Sequence, residues 1–186
     1  MRIIAGKARG RRFDAPAGMD TRPTLDRVKE AMFGMLQFEI SDSSVLDLFS
    51  GSGNLGLEAA SRGAKLVICN DRSKLCADQI RKNADALHLA ENVMVMQLDY
   101  PTCIQRLTEQ NRTFDLVFLD APYQDGTAQK AAELLIRYKR LNPNGKIILE
   151  HAVEIPPILD DRIALAITSR HYGTCAFTVF KEVQAQ

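Results

Sequence analysis

No apolar run in the 186 residues approaches the ~20 needed to span a bilayer, so no membrane span is expected. Cys69, Cys76, Cys103 and Cys175 include no Cys-x-x-Cys pair, and His88, His151 and His171 lack metal-ligand spacing. That pattern excludes a zinc site and a disulfide framework as expectations, assigns no metal, and predicts buried or partly buried reduced thiols. Net charge is nearly absent too: 24 Lys and Arg against 23 Asp and Glu leave +1. The molecule as a whole is therefore no electrostatic glue for a polyanion. Internal repeats, low-complexity tracts and linkers are missing. The opening Met1-Arg-Ile-Ile-Ala-Gly-Lys is basic but has no signal-peptide stretch, and a cytoplasmic location is the expectation. What remains is a chain of one-domain length that can bury a core without staples.

The cations that are present are unevenly placed. Residues 1–12 carry Arg2, Lys7, Arg9, Arg11 and Arg12 without an acid, and Arg22, Arg27 and Lys29 follow. A basic end on a neutral chain is either a polyanion contact or a solvated terminus. Turn signals at Gly6, Gly10, Pro16, Gly18 and Pro23, with Ile3, Ile4 and Phe13 as anchors, predict a short β-hairpin, so residues 1–23 form a basic hairpin extension. From residue 24 to 186 helix and strand alternate. Thr24 reads as the N-cap of a helix running to 38. Strands are predicted at 44–48, 66–69, 93–96, 114–119 and 146–149, and helices at 54–62, 73–87, 102–109 and 127–137. Gly63 reads as the residue just past its helix, and Asn142-Pro143-Asn144-Gly145 as a turn. Segments 163–169 and 175–181 flank His171-Tyr172-Gly173-Thr174 as an antiparallel hairpin. Apolar strands separated by helices predict an α/β fold whose parallel sheet is covered on both faces.

The first strand runs into Asp47-Leu48-Phe49-Ser50-Gly51-Ser52-Gly53-Asn54-Leu55-Gly56. Gly51 and Gly53 remove side chains where backbone passes close to a ligand, in the loop that forms the usual crevice of an α/β sheet. The spacing also satisfies the dinucleotide pattern G-x-G-x-x-G. Asp71 stands 20 positions after Gly51 and can accept hydrogen bonds from both hydroxyls of a ribose. That feature suits a nicotinamide enzyme and a methyltransferase equally. Asp47 separates them: a carboxylate there repels a pyrophosphate but favours the ammonium and sulfonium of S-adenosylmethionine. Its other reading is a cap on the following turn. Asp99, after the third strand, can accept from an adenine amino group or be a surface turn acid.

Asp120-Ala121-Pro122-Tyr123 follows the fourth strand at the same sheet edge. An exocyclic base amine is a poor nucleophile because its lone pair is delocalised into the ring. Acceptors that hold both N–H bonds turn the nitrogen towards a tetrahedral shape and aim the lone pair at a methyl group. Asp120 supplies one charged acceptor, a carbonyl at Ala121 or Pro122 another, and Tyr123 a stacking surface. Alignment in a dry site completes the catalysis.

These motifs resemble the first and fourth motifs of Rossmann-like amino-methyltransferases. Met1-Arg-Ile-Ile-Ala-Gly-Lys, Arg22-Pro-Thr, Asp26-Arg-Val-Lys-Glu-Ala and Leu57-Glu-Ala-Ala-Ser-Arg-Gly-Ala further resemble the bacterial 16S rRNA guanine-N2 methyltransferase family, through Tyr172-Gly173-Thr174. The resemblance implies a class I methyltransferase domain over 24–186, with a seven-stranded, mostly parallel sheet and an antiparallel final strand pair. It implies S-adenosylmethionine, leaving as S-adenosylhomocysteine, held by Asp47, Phe49, Gly51, Gly53, Asp71 and Asp99. It places Asp120, Ala121, Pro122 and Tyr123 around the target amine. It also implies that Arg2, Lys7, Arg9, Arg11, Arg12, Arg22, Thr24 and Arg27 contact 16S rRNA in the small ribosomal subunit or an assembly intermediate; a monomer is adequate for this. Three positions depart from the family: Ala121 stands for the usual Pro, keeping the carbonyl but loosening the turn, Ser50 for Ala and Asp71 for Glu. The rival readings are a DNA adenine-N6 methyltransferase, a nicotinamide-dependent oxidoreductase and a cofactor-binding module without turnover.

Overall fold

Helices lie on both sides of one sheet, and the strand sequences follow from that. In the computed structural model, which describes residues 1–16, 23–122 and 126–183, successive strand residues enter two different cores. Val45, Phe118 and Ile148 join one cluster, with Val28, Met32, Phe33 and Ile80 from the helices and Ile3 and Phe13 from the N-terminus. Leu46, Val117, Leu119 and Ile147 join the other, with Ile104, Leu107 and Leu135. Alternation of side chains along a strand, with both faces covered, leaves no polar face to see in the sequence.

The elements in chain order are α1 (Pro23–Met35), β1 (Ser44–Asp47), α2 (Asn54–Ser61), β2 (Leu66–Asn70), α3 (Lys74–Ala86), β3 (Val93–Met96), α4 (Tyr100–Glu109), β4 (Phe114–Leu119), α5 (Thr127–Arg137), β5 (Leu141–Ala152), β6 (Ala164–Tyr172) and β7 (Cys175–Glu182). The seven-stranded sheet has the order β3-β2-β1-β4-β5-β7-β6. β1 to β5 are parallel, and β7 runs antiparallel between β5 and β6. The sheet is Rossmann-like, as expected, with an antiparallel last strand. Chain order reverses between β1 and β4, where such a sheet opens its crevice at the carboxyl edge. β6 and β7 turn through Gly173 and Thr174, with Gly173 at φ +62.

Local expectations fail where longer-range contacts decide. α1 begins at Pro23, so Thr24 lies inside its first turn and is not the N-cap; proline's fixed φ suits the first helical position. The helix ends at Met35. Asp99 caps α4, which starts two residues earlier than expected. Asn142 to Gly145 do not separate two elements. Phe114 pairs with Leu141 and Leu116 with Lys146, so they bulge out of β5 opposite Asp115. The Asp115 carboxylate receives Asn142 Nδ2 at 2.8 Å and the Ser44 amide at 2.7 Å, which satisfies the irregular ladder. β5 also continues past Leu149 through Glu150 and His151, because β7 pairs with it as far as Ala152. The N-terminal hairpin is present as a single bridge, Arg2 to Arg12, closed by Gly10 N–H donating to Ile3 O at 2.8 Å.

Candidate active site at the carboxyl edge

Asp47 ends β1 and is 1% exposed. One carboxylate oxygen accepts the Gly56 amide of α2 at 2.8 Å, so the turn-capping reading holds for half of the group. The other oxygen, Oδ1, is the buried side-chain polar atom left without a partner among the described residues. Burial pushes the Asp47 carboxyl up to about 7; the Gly56 amide and Ser50 oppose that, and Asp71 adds to it. An orphaned buried acceptor is costly unless a donor or cation arrives. The ammonium-bearing cofactor implied by the sequence fits this requirement, and a pyrophosphate does not.

The three glycines have separate reasons. Gly51 and Gly53 take φ +54 and +85, where a side chain is strained. Gly53 stands immediately before α2. Gly56 packs α2 on β2: a Cβ there would lie 2.4 Å from Cys69 Sγ. Asp71 is held in place by accepting the Gly51 amide on one oxygen and the Ser73 amide on the other, both at 2.8 Å. It thereby ties the glycine loop to the start of α3. The Phe49 and Tyr100 rings meet at 5.8 Å. They bring the loop beside Asp99, which is exposed, accepts the Thr102 amide at 2.8 Å and is held below the usual carboxylate range by the Thr102 side chain and amide. Asp47, Phe49, Gly51, Gly53, Asp71 and Asp99 thus share one edge of the sheet.

Asp120 follows β4 at that edge. Asp47 is in register with Phe118, and Leu119 with Leu149, so Asp120 stands just past β4, level with Glu150 of β5 and two residues beyond the level of Asp47. Its carboxyl is raised well above the ordinary value by burial first, then by Glu150 and by Asp47. Asp120 and Asp47, the acid that leads into the glycine loop, are therefore electrostatic neighbours. Ala121 is buried at 3% exposure and Pro122 is exposed. Tyr123 and Arg22 lie outside the described residues, as does the side chain of Thr24.

The basic N-terminal residues divide. Arg2, Lys7, Arg9, Arg12 and Arg27 are exposed. Arg11 is exposed too, but its guanidinium donates to Ala86 O at 2.7 Å and Leu87 O at 3.2 Å, closing the end of α3. Residues to which the sequence assigned no anchoring role fasten this segment. Glu58 of α2, fully buried, accepts the amides of Ile4 and Ala5 at 2.8 and 3.0 Å and pairs with Lys29 and Arg62. Lys29 Nζ also donates to Arg2 O and to Asn54 Oδ1, at 2.7 and 2.8 Å. Asn83 Nδ2 bridges Asp14 O and Ser52 O. The basic segment is thus built against the glycine loop. Glu58, Lys29 and Asn54 each stand in a motif of the sequence, but nothing local says that they meet the N-terminal backbone. Among the described residues no cluster of His, Cys, Asp and Glu could hold a metal, and no helix is long and apolar enough to cross a membrane.

The family described as Conserved hypothetical protein 95 matches residues 1–181. Ribosomal RNA small subunit methyltransferase D of Haemophilus influenzae is 38% identical over 89% of this chain and 86% of its own. The protein of the same name from Escherichia coli is 34% identical over 83% and 76%. A solved structure from Escherichia coli superposes with a TM-score of 0.86 at 31% identity, covering 100% of this chain and 99% of that one.

Proposed function

The chain belongs to the Conserved hypothetical protein 95 family, and from that premise we propose that it transfers a methyl group from S-adenosylmethionine to the N2 amine of a guanine in small-subunit 16S rRNA. The observation that carries the reading is the adjacency of Asp120 to Asp47, whose orphaned Oδ1 calls for a cation at the same sheet edge. Asp47 would hold the cofactor's ammonium, Asp71 its ribose, Asp99 its adenine, and Phe49, Gly51 and Gly53 its passage along the loop. When bound, the cofactor supplies an electrophilic methyl group on a sulfonium.

The chain's own residues do the rest. Asp120 accepts an N–H of the base amine, and hydrogen bonding to the ionised form draws its carboxyl back towards ionisation. Its raised basicity then suits it to take the proton that the methylated amine sheds. A carbonyl at Ala121 or Pro122 accepts the second N–H, and Tyr123 stacks on the base. In this reading residues 1–23 form an RNA-contacting extension of a catalytic part at 24–186. The cations Arg2, Lys7, Arg9, Arg12 and Arg27 meet phosphates together with Arg22 and Thr24, while Arg11 is shared with α3. The protein acts as a cytoplasmic monomer on the ribosomal subunit or its precursor.

Mass-spectrometric nucleoside analysis of unmodified small subunits incubated with the protein and cofactor tests this. N2-methylguanosine is expected with the wild type, and Asp120→Ala is expected to lower turnover by at least about 10²-fold with cofactor affinity retained. Methyl transfer to duplex DNA alone, or full turnover by the variant, would overturn the reading.

A further inference from the structure

β5 carries a further acid, Glu150, to the position beside Asp120 at the carboxyl edge of the sheet. We propose that Glu150 is a specificity-determining residue that accepts the N1–H of the target guanine while Asp120 accepts an N–H of the neighbouring amine. The inference rests on the guanine reading above and goes beyond it by saying what distinguishes guanine from adenine.

The geometry is that of three adjoining strands at the carboxyl edge of the sheet. Val45, Phe118 and Ile148 point into the same core, and two residues further along β1, β4 and β5 stand Asp47, Asp120 and Glu150. Register aligns Leu119 with Leu149, which sets Asp120 beside Glu150 on neighbouring parallel strands, whose spacing is about 4.8 Å. β7 holds Glu150 in the sheet by pairing it with Phe177. Glu150 is 6% exposed, so its carboxylate faces the protein interior and not bulk water. Its influence reaches both Asp120 and Cys175. A carboxylate has about four lone-pair directions, so a partner within the protein leaves capacity for a ligand.

Gathering like charges at buried strand ends is unfavourable unless something arrives to meet them. The unpartnered Oδ1 of Asp47 shows that the fold keeps at least one of these acceptors waiting. On its Watson–Crick edge guanine presents N1–H and the N2 amine side by side, two adjacent donor groups. Adenine presents its amine next to an N1 lone pair, which a second carboxylate repels. A pair of carboxylates therefore matches guanine and rejects adenine, where Asp120 alone would hold either amine. Discrimination by an unmatched buried polar group is strong because the mismatch leaves it without a partner.

The test uses full-length protein with unmodified small subunits, wild type against Glu150→Gln and Glu150→Asp. Readouts are nucleoside products, kcat/KM, its pH profile, cofactor affinity and thermal midpoint. Among the described residues Asp120 is faced by Asp47 of β1, Glu150 of β5 and Cys175 of β7. Removing the Glu150 charge should therefore move the acid limb of the profile to lower pH. For Glu150→Gln we expect cofactor affinity and folding to be kept, kcat/KM for N2-methylguanosine to fall about 10²-fold, and guanine's advantage over adenine to shrink. Glu150→Asp keeps the charge, shortens the reach and should lose turnover without moving the limb as far. Unchanged turnover with an unmoved limb overturns the proposal. So does a loss of turnover matched by equal losses of cofactor affinity and stability, which would mark a structural role. A wild type that methylates adenine instead of guanine would overturn the parent reading, and this one with it.

Discussion

The Asp47 carboxyl, with one oxygen on the Gly56 amide and the other buried alone, is lifted from 3.8 to about 7 chiefly by burial. For an acid raised in the folded state, both states are protonated below pH 3.8 and nothing is lost. Between 3.8 and about 7 the unfolded chain ionises while the fold keeps its proton, so stability declines with pH and levels off above about 7. The full difference is on the order of 4 kcal/mol. A cationic ligand favours the ionised form, so affinity runs the other way. Calorimetry with S-adenosylhomocysteine should find binding strengthening by up to about tenfold per pH unit between about 5.5 and 7, then flattening. Asp47→Asn should weaken binding, remove most of this dependence and leave the ligand-free fold as stable or more so above neutral pH. A steep dependence that survives in the variant would mean another group is responsible. Asp47, Asp71 and Asp120 were legible in the sequence because each ends an apolar strand. Glu150 also follows an apolar strand, the one expected at 146–149, but no motif assigned it a role; only the register of β4 with β5 sets it level with Asp120, and only pairing with β7 carries β5 onward.

At the level of elements, α2 joins parts distant in the chain. Glu58 and Lys29 form a buried ion pair at 3.3 Å that also binds the backbone of residues 2, 4 and 5 and the first residue of α2. Removing one member strands the other: Glu58→Ala leaves the Lys29 ammonium buried without its carboxylate, at a cost of about 3–5 kcal/mol. The thermal midpoint should fall by about 10 °C, and the amides of Ile4 and Ala5 should lose hydrogen-exchange protection before those of β1. Equal loss everywhere would show that the N-terminal segment is not a separable unit. Helix and strand positions were otherwise readable from periodicity and from Gly63. The bulge at Asn142 to Gly145 was not, because the same residue types close turns and interrupt ladders; the partner across the sheet, here Asp115, decides between them.

Over the whole molecule, a nearly neutral chain keeps its exposed N-terminal cations on a segment fastened to the glycine loop. If phosphates are met there, Arg9→Ala with Arg12→Ala should weaken RNA binding and reduce the salt-dependence slope by about 0.7–0.9 for each phosphate no longer neutralised. Arg11→Ala should leave the slope nearly unchanged and fray the end of α3, because its guanidinium is already engaged by Ala86 and Leu87. Filter binding across a salt series separates the two outcomes; equal slope changes from all three would return Arg11 to the RNA surface. The alternation of apolar strands with helices, and the placing of glycines and acids just after strands, are local patterns. They determined the α/β class, the parallel sheet and the edge on which the chemistry gathers. Tertiary structure alone decided which acids meet, which arginine is occupied, where β5 ends and what holds the N-terminus. Those outcomes depend on strand order and register, which bring residues separated by tens of positions within hydrogen-bond reach, and no local pattern encodes which partner a buried charge will find.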